Sequence, residues 1–498
     1  MIRDLRQSLP TGSPKWWTIG AALIGVALFR DVVIAPLVRV FLNEGYQTYL
    51  LQAAQPSEVP EALRYIVAGY AALLAGFVAG RRGCRSAGHE QNSNALPGAI
   101  VVSLLIAAIG LVGNLYVVGS LAASNGLAGM LSLRSVFYDE SVIFTPLFNY
   151  ARIISPLVEI GGWALIVVGT HRQRKAVMNL GLMLSVFYIG LQVLFGSRMT
   201  MLASAVGLAL VWHSTIRRIG RRAAMSGVLV LVAILGLLQV TRGYAESVTA
   251  GSASLMREVG VGRGIDEMAF ARRAFPSALG YLSWDPMVDA LRQSFPNNSL
   301  LAGKSVWTAI VDDFYNGVNP SGGIGGEHYS FGPEHYMCFG SAGLLAISLV
   351  CGFLFGRTLW WSERRPGNPF AILIAASAIA ILLATLFDGR MVTRMGSFPL
   401  LRILPLGTMA ALALARGPNR FLLGATASAM ATALLLDGML DNVWTEIASL
   451  SVMSIAYAAA LSAVLRFDRQ AAAGSRVQRT VRNASRVRHT FSDPVTAR

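Results

Sequence analysis

Charge is what this sequence lacks most. Only 14% of its 498 residues are Asp, Glu, Lys or Arg, against about 25% in an ordinary soluble domain. Hydrophobic residues make up 54%, and mean hydropathy is +0.54. A water-soluble chain of this length could not hide that much apolar surface in its cores, so lipid is its natural solvent. Cysteine is scarce too, with only Cys84, Cys338 and Cys351. Their placement gives no disulfide framework and no metal-ligand spacing. Acidic residues are few: 26 against 42 Lys and Arg, for a net charge of +16. In a soluble protein that excess would suggest nucleic acid. Here the arginines fall between apolar runs, so membrane orientation explains them and no nucleic-acid partner is expected. No cleavable signal peptide is expected either. The first apolar run, about 17–42, is too long for a signal core, and no small-residue cleavage site follows it.

What is present is a series of apolar runs. A membrane-spanning helix needs about 20 such residues. That length selects 17–42, 62–80, 97–122, 142–169, 177–195, 198–215, 224–241, 335–360, 369–388, 397–415, 421–437 and 447–465. The expected fold class is an all-α polytopic membrane protein with about twelve transmembrane helices. Every second connection is basic: Arg81, Arg82 and Arg85; Arg172, Arg174 and Lys175; Arg217, Arg218, Arg221 and Arg222; Arg364 and Arg365; Arg416 and Arg420. This positive-inside pattern puts both termini in the cytoplasm. Residues 1–466 form the transmembrane domain, and 467–498 form a basic cytoplasmic tail that reads as a disordered arm on an anionic surface.

One connection, 242–334, is long, and the charge rule places it outside. Asp285-Pro286 reads as a helix start there, and Met287, Val288, Leu291 and Phe295 then share one face. The helix suits a membrane surface or a cavity cover. A glycine-rich stretch, 316–326, follows it. Long ordered loops of this kind are usually functional. No internal repeat is evident.

Several arginines defy the orientation rule by lying outside: Arg198, Arg242, Arg263, Arg390, Arg394 and Arg402. Gly196-Ser197-Arg198 and Gly396-Ser397 open spans whose N-termini face outward. Helix N-termini favour anions, and guanidinium groups match phosphate oxygens. These arginines are therefore candidates for holding a phosphate or diphosphate. Acid–base candidates lie nearby in the topology: Glu334, His335, His328 and Asp388. Glu-His-Tyr occurs twice, at 327–329 and 334–336, without the H-E-x-x-H spacing of a zinc site, so no metal and no cofactor are expected. Glu334 also suits plain compensation of the helix dipole after Pro333. Arg30 and Asp31 lie near the middle of the first span, and Arg152 and Glu159 lie in the fourth. Such charges either neutralise each other and lock helices together or line a polar cavity.

Pro333-Glu334-His335-Tyr336-Met337-Cys338-Phe339-Gly340-Ser341-Ala342-Gly343, continuing apolar to Gly352 and Gly356, resembles the motif after the large periplasmic loop of bacterial oligosaccharide repeat-unit polymerases. These are the Wzy-like O-antigen and exopolysaccharide polymerases. Gly196-Ser197-Arg198 resembles a second feature of that family, and Asp388-Gly389-Arg390 to Arg394 a third. The resemblance implies a GT-C-like fold in the inner membrane and no metal. It implies a lipid-linked oligosaccharide substrate on undecaprenyl diphosphate, with a flippase and chain-length regulators as protein partners. On this reading the arginines hold the diphosphate leaving group, and Glu334 leads His335, His328 and Asp388 as general base. Other classes stay open. One is a glycan ligase or another lipid-dependent glycosyltransferase, although the first outer loop offers Glu44, Glu58 and Glu61 without a paired acidic motif. Another is a flippase or transporter of lipid-linked glycans, and a third is a scaffold without chemistry.

Overall fold

Lipid offers a backbone no water to bond with, so a chain this apolar must satisfy its N–H and C=O groups within helices or closed barrels. The computed structural model of the chain takes the helical solution. It describes residues 15–37, 54–81, 97–132, 154–195, 198–220, 263–277, 280–292, 331–365 and 368–388, with scattered positions at 148–152, 222–230, 310 and 447–463. Among the described residues the helices are α1 (Trp16–Leu37), α2 (Val59–Gly80), α3 (Pro97–Ser132), α4 (Leu157–His171), α5 (Lys175–Leu194), α6 (Arg198–Thr215), α7 (Arg263–Ala274), α8 (Asp285–Arg292), α9 (Pro333–Glu363) and α10 (Pro369–Asp388).

Six of these are long and apolar enough to cross a membrane: α1, α2, α3, α5, α9 and α10. The apolar helices α4 and α6 are shorter. The chain is thus a multi-pass, all-helical membrane protein. Seven of the twelve expected spans coincide with these helices, and the fourth overlaps α4 in part. The runs 224–241 and 447–465 are described only at scattered positions, and 397–415, 421–437 and the tail 467–498 lie outside the described residues. On α3, Val101, Leu105, Ile109 and Val112 form an exposed apolar stripe at helical spacing, as a lipid-facing surface requires. By contrast α4 is buried on every side from Val158 to Gly169, as the centre of a bundle must be. The fourth span is not the continuous helix over 142–169 that hydropathy suggests. A turn at Ser155-Pro156 precedes α4, and Asn114 Nδ2 reaches across from α3 to the Ser155 carbonyl at 2.8 Å.

The tightest contact is between α2 and α9. A side chain at Gly76 would run into the carbonyl of Leu349, and one at Gly352 or Gly356 into the carbonyls of Leu73 or Phe77. Glycine is what lets two backbones meet this closely in lipid, where packing rather than hydrophobicity holds helices together. Contacts advance together along both chains: Gly69 meets Leu344, Gly76 meets Leu349, and Gly80 meets Arg357. The 341–363 part of α9 therefore runs parallel to α2. Helix α1 runs against both, with Trp17 beside Phe77 and Gly20 beside Leu359. Lys15, Arg81, Arg364 and Arg365 consequently gather at one end of this bundle, here called the basic end. In the α3–α4–α5 group, Arg172, Arg174 and Lys175 likewise share one turn.

The 242–334 connection contains one helix that periodicity did not reveal. In α7, Asp266 and Glu267 are fully buried, and Asp266 Oδ1 accepts the Ala54 N–H at 2.7 Å. Arg272 pairs with Glu61, and Arg273 with Glu58 at 3.2 Å, so α7 is clamped to the start of α2. Helix α8 begins at Asp285, where the Asp-Pro pair predicted a start.

Candidate functional site

Helix α9 is broken. Phe339 (φ −145°, ψ 21°) and Gly340 (φ 66°, ψ −149°) leave helical geometry, and Gly340 sits where L side chains are strained. The two pieces fold back on each other. Phe331 packs on Tyr70, ring centres 5.0 Å apart, while Tyr336 packs on Tyr65 at 5.4 Å. Residues 331–338 thus run antiparallel to α2, whereas 341–363 run parallel to it. The element is a re-entrant hairpin, and its first arm begins at the level of Tyr70, halfway along α2. The break leaves carbonyls without helical partners, and the loop before α9 satisfies them. Leu282 N–H donates to Met337 O at 3.0 Å, and Ser283 N–H to Cys338 O at 2.8 Å. Irregular backbone at membrane depth persists only when protein or a cavity surrounds it.

Glu334 and His335 ride on the first arm. Neither is at an exposed helix end: Glu334 is 5% exposed and His335 0%. His335 Nδ1 lies 3.0 Å from Ser348 Oγ on the second arm, and its ring stands edge-on to Phe331. The remaining ring nitrogen, Nε2, is buried with no hydrogen-bond partner among the described residues. The Glu334 carboxylate lies within electrostatic reach of the Cys338 and Cys351 thiols, both unbridged and buried. Ser348 Oγ on the second arm thus orients the imidazole through Nδ1.

Tyr70 links this arm to a second polar group. Its hydroxyl donates to Asp31 Oδ2 at 2.6 Å. Arg30 Nε and Nη2 grip the same carboxylate at 2.6 and 3.0 Å, and Nη2 also donates to the Leu386 carbonyl at 2.9 Å. The guanidinium lies over the Phe387 ring. The pair opens a π-helical stretch, 30–34, a rare form that often marks a functional site. Arg30 and Asp31 therefore neutralise each other and tie α1 to α2 and α10. Sequence reasoning missed Tyr70 and Ser348. Each is a polar residue deep in an apolar span, which is a usable signal, but Tyr70 meets Asp31 on another helix and Ser348 meets His335 only across the break in α9.

The other candidates are placed only in part. Arg198 is the first residue of α6, Arg263 the first of α7, and Asp388 the last of α10. Arg242, His328, Arg390, Arg394 and Arg402 lie outside the described residues. The structure thus brings together Glu334 and His335 from the candidate set. Among the described residues, no three His, Cys, Asp or Glu side chains converge as a metal site would need. No family model, curated protein or solved structure matches this chain.

Proposed function

We propose that this chain is a glycosyltransferase with a GT-C-like fold of about twelve spans. On this reading it joins lipid-diphosphate-linked oligosaccharide repeat units into a polysaccharide at the periplasmic face of the inner membrane. One observation carries the proposal: the stretch that resembles repeat-unit polymerases, 333–343, is also the irregular, re-entrant stretch that buries Glu334 and His335. The gathering of basic turns at one bundle end supports a cytoplasmic assignment for that end and a periplasmic one for the Glu334 arm. In the reaction, the bond from the donor sugar's anomeric carbon to the diphosphate breaks, and a bond to an acceptor hydroxyl forms. Glu334 takes the hydroxyl proton. Arg198, Arg390, Arg394 and Arg402, with Arg242 and Arg263 from the loop, offset the charge growing on the diphosphate. Partners are the lipid-linked substrate, the flippase that delivers it and a chain-length regulator.

The discontinuous α9 also favours a second reading, a flippase for lipid-linked glycans, because transporters build their sites from broken helices. Deleting the gene and analysing the lipid-linked intermediates separates the two. Loss of the polymerase leaves single units at the outer face where polymer stood. Units stranded on the cytoplasmic side would support the flippase, and finished polymer left on lipid would support a ligase.

A further inference from the structure

The basic end of the bundle carries a group that the site above does not use. The Arg81 guanidinium lies 4.6 Å from the centre of the Trp360 ring and 5.1 Å from that of Trp17. Arg364 lies over the same Trp360 ring at 4.4 Å. Two cations thus share one indole, which packing holds still at 7% exposure. Like charges brought within about 9 Å of each other repel and call for an anion between or beside them. The nearest carboxylate in sequence, Glu363, accepts the Trp17 backbone N–H through Oε2 at 2.9 Å. Neither Arg81 nor Arg364 forms an ion pair with any described residue. The Trp17 ring under Arg81 adds a further donor, since its Nε1 is buried with no acceptor among the described residues. Arg365 adds a third guanidinium, over the Trp361 ring at 4.8 Å.

We propose that Arg81, Arg364 and Trp17, arranged around Trp360, form a binding site for the phosphate of an anionic phospholipid headgroup. The site lies at the ends of α1, α2 and α9, where tryptophan rings mark the headgroup level of a membrane. A phosphodiester there would accept from both guanidiniums and the indole N–H, while its acyl chains would follow the apolar flanks of α1 and α9. Guanidinium suits this role because it stacks on a ring and still offers in-plane donors to phosphate. The proposal depends on the geometry of this end and not on the reaction at the other.

The test uses the full chain, purified in neutral detergent and offered phosphatidylglycerol and phosphatidylcholine in equal amounts. Native mass spectrometry counts the lipids retained. The expected result is preferential retention of phosphatidylglycerol, reduced roughly tenfold or more in R81Q/R364Q. A variant losing the same charge elsewhere, R217Q/R218Q, keeps the preference. Equal loss in both variants overturns the site in favour of diffuse charge. Displacement of the lipid by millimolar inorganic phosphate overturns the lipid assignment in favour of a soluble anion. Should R81Q/R364Q fail to fold, R81K/R364K keeps the charge but loses the planar stack and is expected to lose retention several-fold. A wild-type protein without preference overturns the proposal by itself.

Discussion

His335 Nδ1 lies 3.0 Å from Ser348 Oγ, although 13 positions separate them along one apolar run. A straight helix would hold their Cα atoms about 20 Å apart. The break at Phe339-Gly340 removes that distance. Cysteines at 335 and 348, in a chain whose native cysteines are replaced by alanine, should be joined by a short bis-thiol reagent. A cross-link seen in gel mobility confirms the hairpin, and its absence under full labelling would mean a continuous helix.

The α2–α9 contact makes a sharp distinction between glycines. Gly76→Ala and Gly352→Ala place a methyl group into the facing backbone, which cannot rotate away as a side chain can. Each should cost about 2 kcal/mol or more, read as a lowered melting temperature in detergent. Gly25 and Gly190 have open space at the same position. Alanine there should be neutral or slightly stabilising, since it favours the helix by up to about 1 kcal/mol.

The Arg30–Asp31 pair should behave as a buried ion pair does. Asp31→Asn leaves a guanidinium among apolar helices with one carbonyl and one ring, at a cost of about 3–5 kcal/mol. The double change R30M/D31L removes both charges and should recover most of that loss. If the double variant is as unstable as the single one, the pair does more than neutralise itself.

The clamp on α7 should divide into weak and strong parts. Glu61 is half exposed where it meets Arg272, so Glu61→Ala should cost under about 1 kcal/mol and matter less as salt rises. Asp266 is buried on the Ala54 N–H, and Asp266→Ala leaves that donor unmet at about 1–3 kcal/mol. Hydrogen exchange of 263–274 measures both. Comparable loosening in the two variants would contradict the division.

Six spans were legible because a 20-residue apolar run has few uses outside a membrane, and basic turns mark its ends. The break in α9 was not. Hydropathy stays high through Phe339-Gly340, and the carbonyls freed there are met by Leu282 and Ser283, which lie far back in the loop. Helix α7 was hidden for a related reason. Its buried Asp266 and Glu267 read as solvent-facing until Ala54, 212 positions away, supplies a partner. Arg30 and Asp31 were visible as costly charges, but their further partners, Tyr70 and the Leu386 carbonyl, lie on other helices. Of the candidate residues, Glu334 and His335 stood out by type, but nothing in the apolar run showed how deeply they are buried.

That depth decides what Glu334 should do when changed. A glutamate in the first turn of an exposed helix offsets the dipole, and Gln there costs a few tenths of a kcal/mol with no effect on turnover. Glu334 instead begins an arm that starts inside the bundle, next to an imidazole whose Nε2 has no partner among the described residues. Gln keeps the size of the side chain and its ability to hydrogen-bond, but it cannot take a proton. If the carboxylate is the general base, Glu334→Gln should lower polymer formation by about 10²–10⁴-fold while melting temperature changes little. His335→Gln also removes the contact to Ser348, so it should lower both activity and stability. Ser348→Ala should lower stability by about 1 kcal/mol with activity largely retained. Polymer length on gels and melting curves in detergent read the two properties separately. An E334Q protein that makes full-length polymer would leave Glu334 with a structural role and move the base to His335.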